Sequence, residues 1–134
     1  MSTLRAMPIL LVKDPEASAA FYARLGFVCH GFFGDPPGFG VIQRGDVSIG
    51  LNRVKAPGPW PKEAWATYIY VSDVDGLHAE LSKEGLAFLS ELRDQPFGCR
   101  DFEIEDIDGY RMAFGQDMIT TGGLPGLSDD RGRG

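Results

Sequence analysis

Few side chains in this chain are placed to do chemistry. Tyr68, Tyr70 and Arg111 are spaced to share one side of predicted strands. They could support metal-free acid–base work, although an unperturbed tyrosine is a poor base near neutral pH. Asp101, Glu103 and Glu105 alternate along another predicted strand. Such a stripe could draw in a cation; the expectation adopted is an edge or solvent face, where charge discourages strand addition. The histidines, His30 and His78, fall at a predicted strand end and on a predicted helix, as surface or packing residues. Cys29 and Cys99 lack any neighbouring Cys or any His/Asp pattern at ligand spacing, so both are expected to be free thiols used in packing. No Gly-x-Ser-x-Gly, Cys–His pair, phosphate-binding glycine loop or zinc motif occurs.

The 134 residues suit one domain, residues 1–134, with the composition of an ordinary soluble chain. No apolar run of about 18 residues is present to span a membrane. The first residues lack the apolar core of a secretory signal, so a cytoplasmic protein is expected. A net charge of -6 argues against nucleic acid, which needs a basic stripe, and is compatible with a cationic ligand.

The elements that must position these side chains are written twice. Pro8–Asp14 reads as a buried strand ending in a helix cap, with Pro15 at the first helical position. Ala17, Ala20, Phe21 and Leu25 follow at helical spacing until Gly26 stops the helix. Thr67–Asp73 repeats the pattern, followed by Val74, Leu77, His78 and Leu81 and a stop at Gly85. Gly45-Asp46 and Asp108-Gly109 are turn signals before alternating strands, each preceded by a strand at Phe39–Arg44 or Arg100–Asp106. An offset of 59 residues carries 14 to 73, and one of 63 carries 47 to 110. The extra residues of the second copy are expected at Asp94–Gly98.

Each copy therefore reads β-α-β-β-β. The predicted fold is α+β, with two βαβββ modules at residues 5–55 and 65–117 forming curved mixed sheets with helices outside. The proline-rich Ala56–Pro61 is a stiff connector. Residues 118–134 lack periodicity and are expected to form a mobile tail.

Paired βαβββ modules with Val12-Lys-Asp-Pro15, Phe21-Tyr-x-x-Leu-Gly-Phe27 and Asp106-x-Asp-Gly-Tyr110 resemble the vicinal-oxygen-chelate superfamily. That superfamily holds glyoxalase I, extradiol dioxygenases and bleomycin-resistance proteins. Met7-Pro-Ile-Leu10, Phe39-Gly-Val-Ile42 and Asp94–Phe102 resemble the bleomycin-resistance branch most. The resemblance spans about residues 5–117. In the superfamily's enzymes, His, Gln and Glu side chains from the first and last strand of each module hold a catalytic ion. Carried onto this chain, those positions are Met7, Gly50, Ala66 and Ala113. The internal repeat agrees, since its offsets carry 7 to 66 and 50 to 113. None of these residues is a hard oxygen or imidazole donor, so the resemblance implies no metal, no cofactor and no metal catalysis at that position.

If those four residues point into the ligand cleft that the resemblance implies, Ile9, Leu11, Ser48, Asn52, Tyr68, Tyr70 and Arg111 share that face. Leu10, Val12, Ile49, Ile69, Val71, Met112 and Phe114 then face the helices. Small residues at three of the four positions are expected to leave room there. In the bleomycin-resistance branch, rings at positions matching Phe39 and Phe97 stack on flat heteroaromatic parts of the drug, Trp standing in the branch where this chain has Phe97. The candidate ligand-binding set is Phe33, Phe39, Ser48, Asn52, Tyr68, Tyr70, Phe97, Gly98 and Arg111. Trp60 and Trp65 are further rim aromatics.

The function implied is metal-free sequestration of a bleomycin-like or other flat cationic antibiotic or metabolite. No catalytic residue is assigned, and a homodimer with clefts at its interface is expected. Two alternatives belong to other classes. One is a glyoxalase- or dioxygenase-like lyase or isomerase with a displaced or absent metal; the other is a partner-binding module whose cleft is a vestige.

Overall fold

The two helices start where side chains can replace the missing backbone acceptors. In the computed structural model, which describes residues 1–119, the Asp14 carboxylate accepts from the Glu16 N–H at 3.0 Å ahead of α1 (Pro15–Ala23). Asp73 accepts from the Gly76 N–H at 3.0 Å ahead of α2 (Val74–Lys83). Each cap is worth about 1 kcal/mol. Gly26 and Gly85, at φ 87° and 76°, end the helices in the left-handed region that other residues adopt only with strain.

The strands are β1 (Ile9–Val12), β2 (Val28–Phe33), β3 (Phe39–Arg44), β4 (Val47–Arg53), β5 (Thr67–Tyr70), β6 (Ser90–Asp94), β7 (Cys99–Glu105) and β8 (Arg111–Asp117). They form two four-stranded mixed sheets in the orders β1-β4-β3-β2 and β5-β8-β7-β6. The first pair of each, β1–β4 and β5–β8, is parallel, and the others are antiparallel. This is the expected pair of βαβββ modules. The register preserves the duplication: Ile9 pairs with Gly50 as Tyr68 pairs with Ala113. Part of the second copy's insertion lies in the β6–β7 turn, since Phe33 pairs with Phe39 but Arg93 with Asp101. The rest lies in the bulge between Ser90 and Arg93 and in the turn before β8.

By contacts the chain divides into two compact units. Unit 1 is Met1–Pro61 with Asp106–Tyr110; unit 2 is Lys62–Glu105 with the chain from Arg111. Unit 1 buries Leu10, Val12, Tyr22, Leu25, Ile42, Ile49 and Leu51, and unit 2 buries Ile69, Val74, Leu81, Phe102, Ile104, Met112 and Phe114. Each fully buried side chain contributes about 1.5–3 kcal/mol. The expected helix-facing sets are buried accordingly, apart from the half-buried Val71.

Two expectations are corrected. The Asp101–Glu105 stripe is not an edge: β7 lies between β6 and β8, and Asp101 and Glu103 are buried. Only Glu105, at the strand end, is exposed. Cys99 is buried as expected, but Cys29 is exposed on the edge strand β2, next to a register shift between Cys29 and Gly31. No helix among the described residues is long and apolar enough to cross a membrane. Most of the expected tail, residues 120–134, lies outside the described residues.

Candidate functional site

In unit 2, the sheet face away from α2 carries a run of aromatic rings. Alternation along β5 sends Ile69 into the core and Tyr68 and Tyr70 to the other side, their centroids 5.1 Å apart. Trp65, just ahead of β5, lies 4.9 Å from Tyr68 and 6.4 Å from Phe97, and Phe97 is 6.2 Å from Tyr68. Trp65 and Tyr70 remain 37% and 47% exposed, so the cluster is a surface and not a core. Gly98 sits at φ 93° in the turn that places Phe97, and a Cβ there would meet the Ile119 side chain at 2.1 Å. Gly115 is equally constrained: an added Cβ would lie 2.0 Å from the Tyr68 hydroxyl, which takes the space above it.

Beneath the rings lies a paired polar floor. Tyr68 donates to Asp101 Oδ2 at 2.9 Å, and Gln95 Nε2 to Asp101 Oδ1 at 3.0 Å. Glu103 is the hub. Its Oε2 accepts from Trp65 Nε1 at 2.5 Å, Arg93 Nη2 at 2.8 Å and Arg111 Nη2 at 2.7 Å. Arg111 Nη1 donates to the Lys62 carbonyl at 2.8 Å, so both ends of that guanidinium are occupied. Burial pushes the Glu103 carboxyl up, but the hydrogen bonds from Trp65 and Arg111 and the charges of Arg93 and Arg111 prevail and hold it below its ordinary value. Burial, then the hydrogen bond to Asp101, raises the Tyr68 phenol far above its usual range. Tyr68 is therefore even less suited to acid–base catalysis than a free tyrosine.

In unit 1 the corresponding face is apolar. Ile9 and Leu11 are exposed, Phe39 and Val41 are half-buried, and Phe33, 62% exposed, lies 6.5 Å from Phe39. Ser48 is buried and Asn52 half-buried on the same side of β4. The nine candidate residues thus fall into two groups, Phe33, Phe39, Ser48 and Asn52 in unit 1, and Tyr68, Tyr70, Phe97, Gly98 and Arg111 in unit 2. Trp60 instead stacks on Tyr110 at 4.7 Å and donates to the Asp108 carbonyl, as a packing residue of unit 1.

The expected room is not there at Gly50, while Ala66 is exposed. A Cβ at Gly50 would meet Ile9 Cδ1 at 2.6 Å and Phe39 Cζ at 2.9 Å, so neighbours fill the space. Ala113 is fully buried. The carboxylate paired opposite Ala113, Glu103, is taken by Trp65 and two arginines. Among the described residues no three His, Cys, Asp or Glu side chains are placed to hold a metal ion. The residues present do not fit the superfamily's ion.

Residues 5–114 match the Glyoxalase family, described as the Glyoxalase/Bleomycin resistance protein/Dioxygenase superfamily. The chain belongs to this superfamily. Among superfamily structures it is similar to a bleomycin-binding protein complexed with bleomycin, at 23% identity and TM-score 0.70, over 85% of this chain and 98% of that one. It is similar to the bleomycin-binding protein of bleomycin-producing Streptomyces verticillus complexed with copper(II)-bleomycin, at 26% identity and TM-score 0.67, over 85% and 96%. A glyoxalase-related enzyme from Clostridium phytofermentans shares the fold at 18% identity and TM-score 0.72, over 87% and 97%. No curated protein matches significantly.

Sequence reasoning named Trp65 only as a rim residue and missed Arg93 and the burial of Asp101 and Glu103. A signal was present. The βαβββ order makes β7 an inner strand, where alternate carboxylates need partners, and the basic residues at 93 and 111 on its neighbours supply them.

Proposed function

We propose that this protein binds and sequesters a flat, positively charged small molecule of the bleomycin type in the cytoplasm without chemical change. The observation that carries the reading is the half-exposed aromatic surface of Trp65, Tyr68, Tyr70 and Phe97 on the sheet face of unit 2. Rings of this kind bind flat heteroaromatic groups by stacking, each pair contributing about 0.5–1.5 kcal/mol beyond area burial. They also attract a cation over their faces. The floor's two carboxylates are matched by Arg93 and Arg111, so stacking holds the ligand while the chain's net charge of -6 raises the local cation concentration. Bleomycin binding by two superfamily structures supports the ligand class.

Isothermal titration with bleomycin tests the reading: saturable heat is expected, weakened about three- to tenfold by Tyr70→Ala, the loss of one stacking partner. Absence of heat with bleomycin and phleomycin would reject the drug assignment. A lyase or isomerase with a displaced ion is the competing class, and stoichiometric transition metal in elemental analysis of the purified protein would favour it. A homodimer belongs to the same proposal, with the exposed Met7, Ile9, Leu11 and Phe33 as the apolar face to be covered; sedimentation equilibrium checks it.

A further inference from the structure

We infer that Glu103 is a positioning residue of the aromatic surface, holding Trp65 against Tyr68 and Phe97 through the indole N–H. The inference rests on the proposed function, because it takes that surface to be the one that binds. Trp65 lies outside any strand, just after the proline-rich connector, so strand pairing does not fix its ring. Its indole nitrogen is instead 2.5 Å from Glu103 Oε2. Arg93 and Arg111 occupy the remaining capacity of that carboxylate and hold it in place. A large ring fixed before the ligand arrives does not have to be ordered on binding, which removes a cost from the affinity.

The internal repeat argues that this arrangement is not a requirement of the fold. Glu103 is the strand partner of Ala113, as Val41 is the partner of Gly50, so the equivalent position in unit 1 is a valine. A buried ion-pair network replaced as a whole by apolar residues of similar volume is often no less stable, so the network itself is not what the fold needs. The specific effect of the carboxylate is to place three groups at once: the Trp65 ring above it and a guanidinium on each side. Asp101, which accepts from the Tyr68 hydroxyl and from Gln95, steadies the neighbouring ring in the same way.

The test reads Trp65 directly in the ligand-free protein. The chain has two tryptophans, so a ¹H–¹⁵N spectrum shows two indole N–H resonances, and Trp65→Phe identifies which belongs to residue 65. In Glu103→Gln the Trp65 resonance is expected to move while that of Trp60 stays. The dissociation constant for bleomycin should rise about three- to tenfold, the effect of re-ordering one large side chain. If the single variant does not fold, Glu103→Gln/Arg93→Gln removes one charge of each sign and is read in the same way. A folded variant whose Trp65 resonance does not move overturns the inference, even if its thermal midpoint falls. So does a moved resonance with unchanged bleomycin affinity. Wild-type protein that gives no heat with bleomycin rejects the proposed function alone; the indole shift, read without ligand, still decides whether Glu103 grips Trp65.

Discussion

On the sheet face away from the helix, unit 1 carries Ile9, Leu11, Phe39 and Val41 where unit 2 carries Tyr68, Tyr70, Asp101 and Glu103. The strand registers equate these positions, since Ile9 pairs with Gly50 as Tyr68 pairs with Ala113, and Phe39 with Asn52 as Asp101 with Gly115. The opposite faces have not diverged in this way: Leu10 and Ile69, or Ile49 and Met112, remain apolar and buried. Period-2 alternation explains how this is possible, because one set of residues maintains the core while the other is free to change. The units also differ in how they treat a buried acid. Asp106 in unit 1 accepts from the Tyr22 hydroxyl at 2.5 Å and from the Asp108 and Tyr110 N–H groups at 2.9 Å. Glu103 in unit 2 is clamped by two arginines. The first carboxylate fastens the Asp106–Tyr110 turn to α1, and the second supports an exposed aromatic surface.

Exchanging the equivalent residues is the sharpest way to break this comparison. Glu103→Val is expected to cost about 3 kcal/mol, the lower part of the range for breaking a buried ion pair, because both arginines still reach solvent. The reverse change, Val41→Glu, places a carboxylate on a half-buried apolar face without a partner and should cost about 1–2 kcal/mol. Urea unfolding of both variants measures the two costs. Equal and negligible losses would mean that the faces are interchangeable and the contrast between them carries no energetic weight.

The elements were legible because their signals are local. Asp14-Pro15 and Asp73 mark helix starts, Gly26 and Gly85 mark stops, and the repeat offsets equate the two copies as their matching β1–β4 and β5–β8 registers do. Which residues share a face was also legible, since it follows from alternation alone. What occupies that face was not. The small residues at 50 and 113 were expected to leave room, yet whether space stays open depends on neighbours such as Ile9 and Phe39, which come from other strands. The acidic stripe on β7 was misplaced for a related reason. Alternating carboxylates look alike at an edge and in a paired interior, and only the partners Arg93, Arg111, Trp65 and Tyr68 distinguish the two.

The two buried acids should also respond to pH in opposite directions. Glu103 is held below the ordinary glutamate value of about 4.3, so its contribution is full above that pH and is lost as pH falls through its folded value. Asp106 is pushed above the ordinary aspartate value of about 3.9, by burial first and by the nearby Asp108 charge, against the hydrogen bonds it accepts. Its contribution is full below that pH and is lost as pH rises through its folded value. Unfolding free energies from about pH 3 to 7 should therefore show the wild-type advantage over Glu103→Gln growing with pH and the advantage over Asp106→Asn shrinking. Slopes of the same sign would show that the two acids sit in equivalent electrostatic settings.

The smallest expected effect on stability comes from Phe33→Ala. Phe33 is 62% exposed at the end of an edge strand and touches Phe39 only at a tilted 6.5 Å, so its removal should change stability by no more than about 0.5 kcal/mol. Its effect on ligand binding is then free of any folding defect, unlike that of Phe39, whose ring covers the space at Gly50. If unit 1 contributes a stacking ring, bleomycin affinity should fall about two- to tenfold, the worth of one aromatic contact. If affinity is unchanged in Phe33→Ala while Tyr70→Ala weakens it, recognition lies with the aromatic surface of unit 2, and the apolar face of unit 1 is left to the proposed dimer contact.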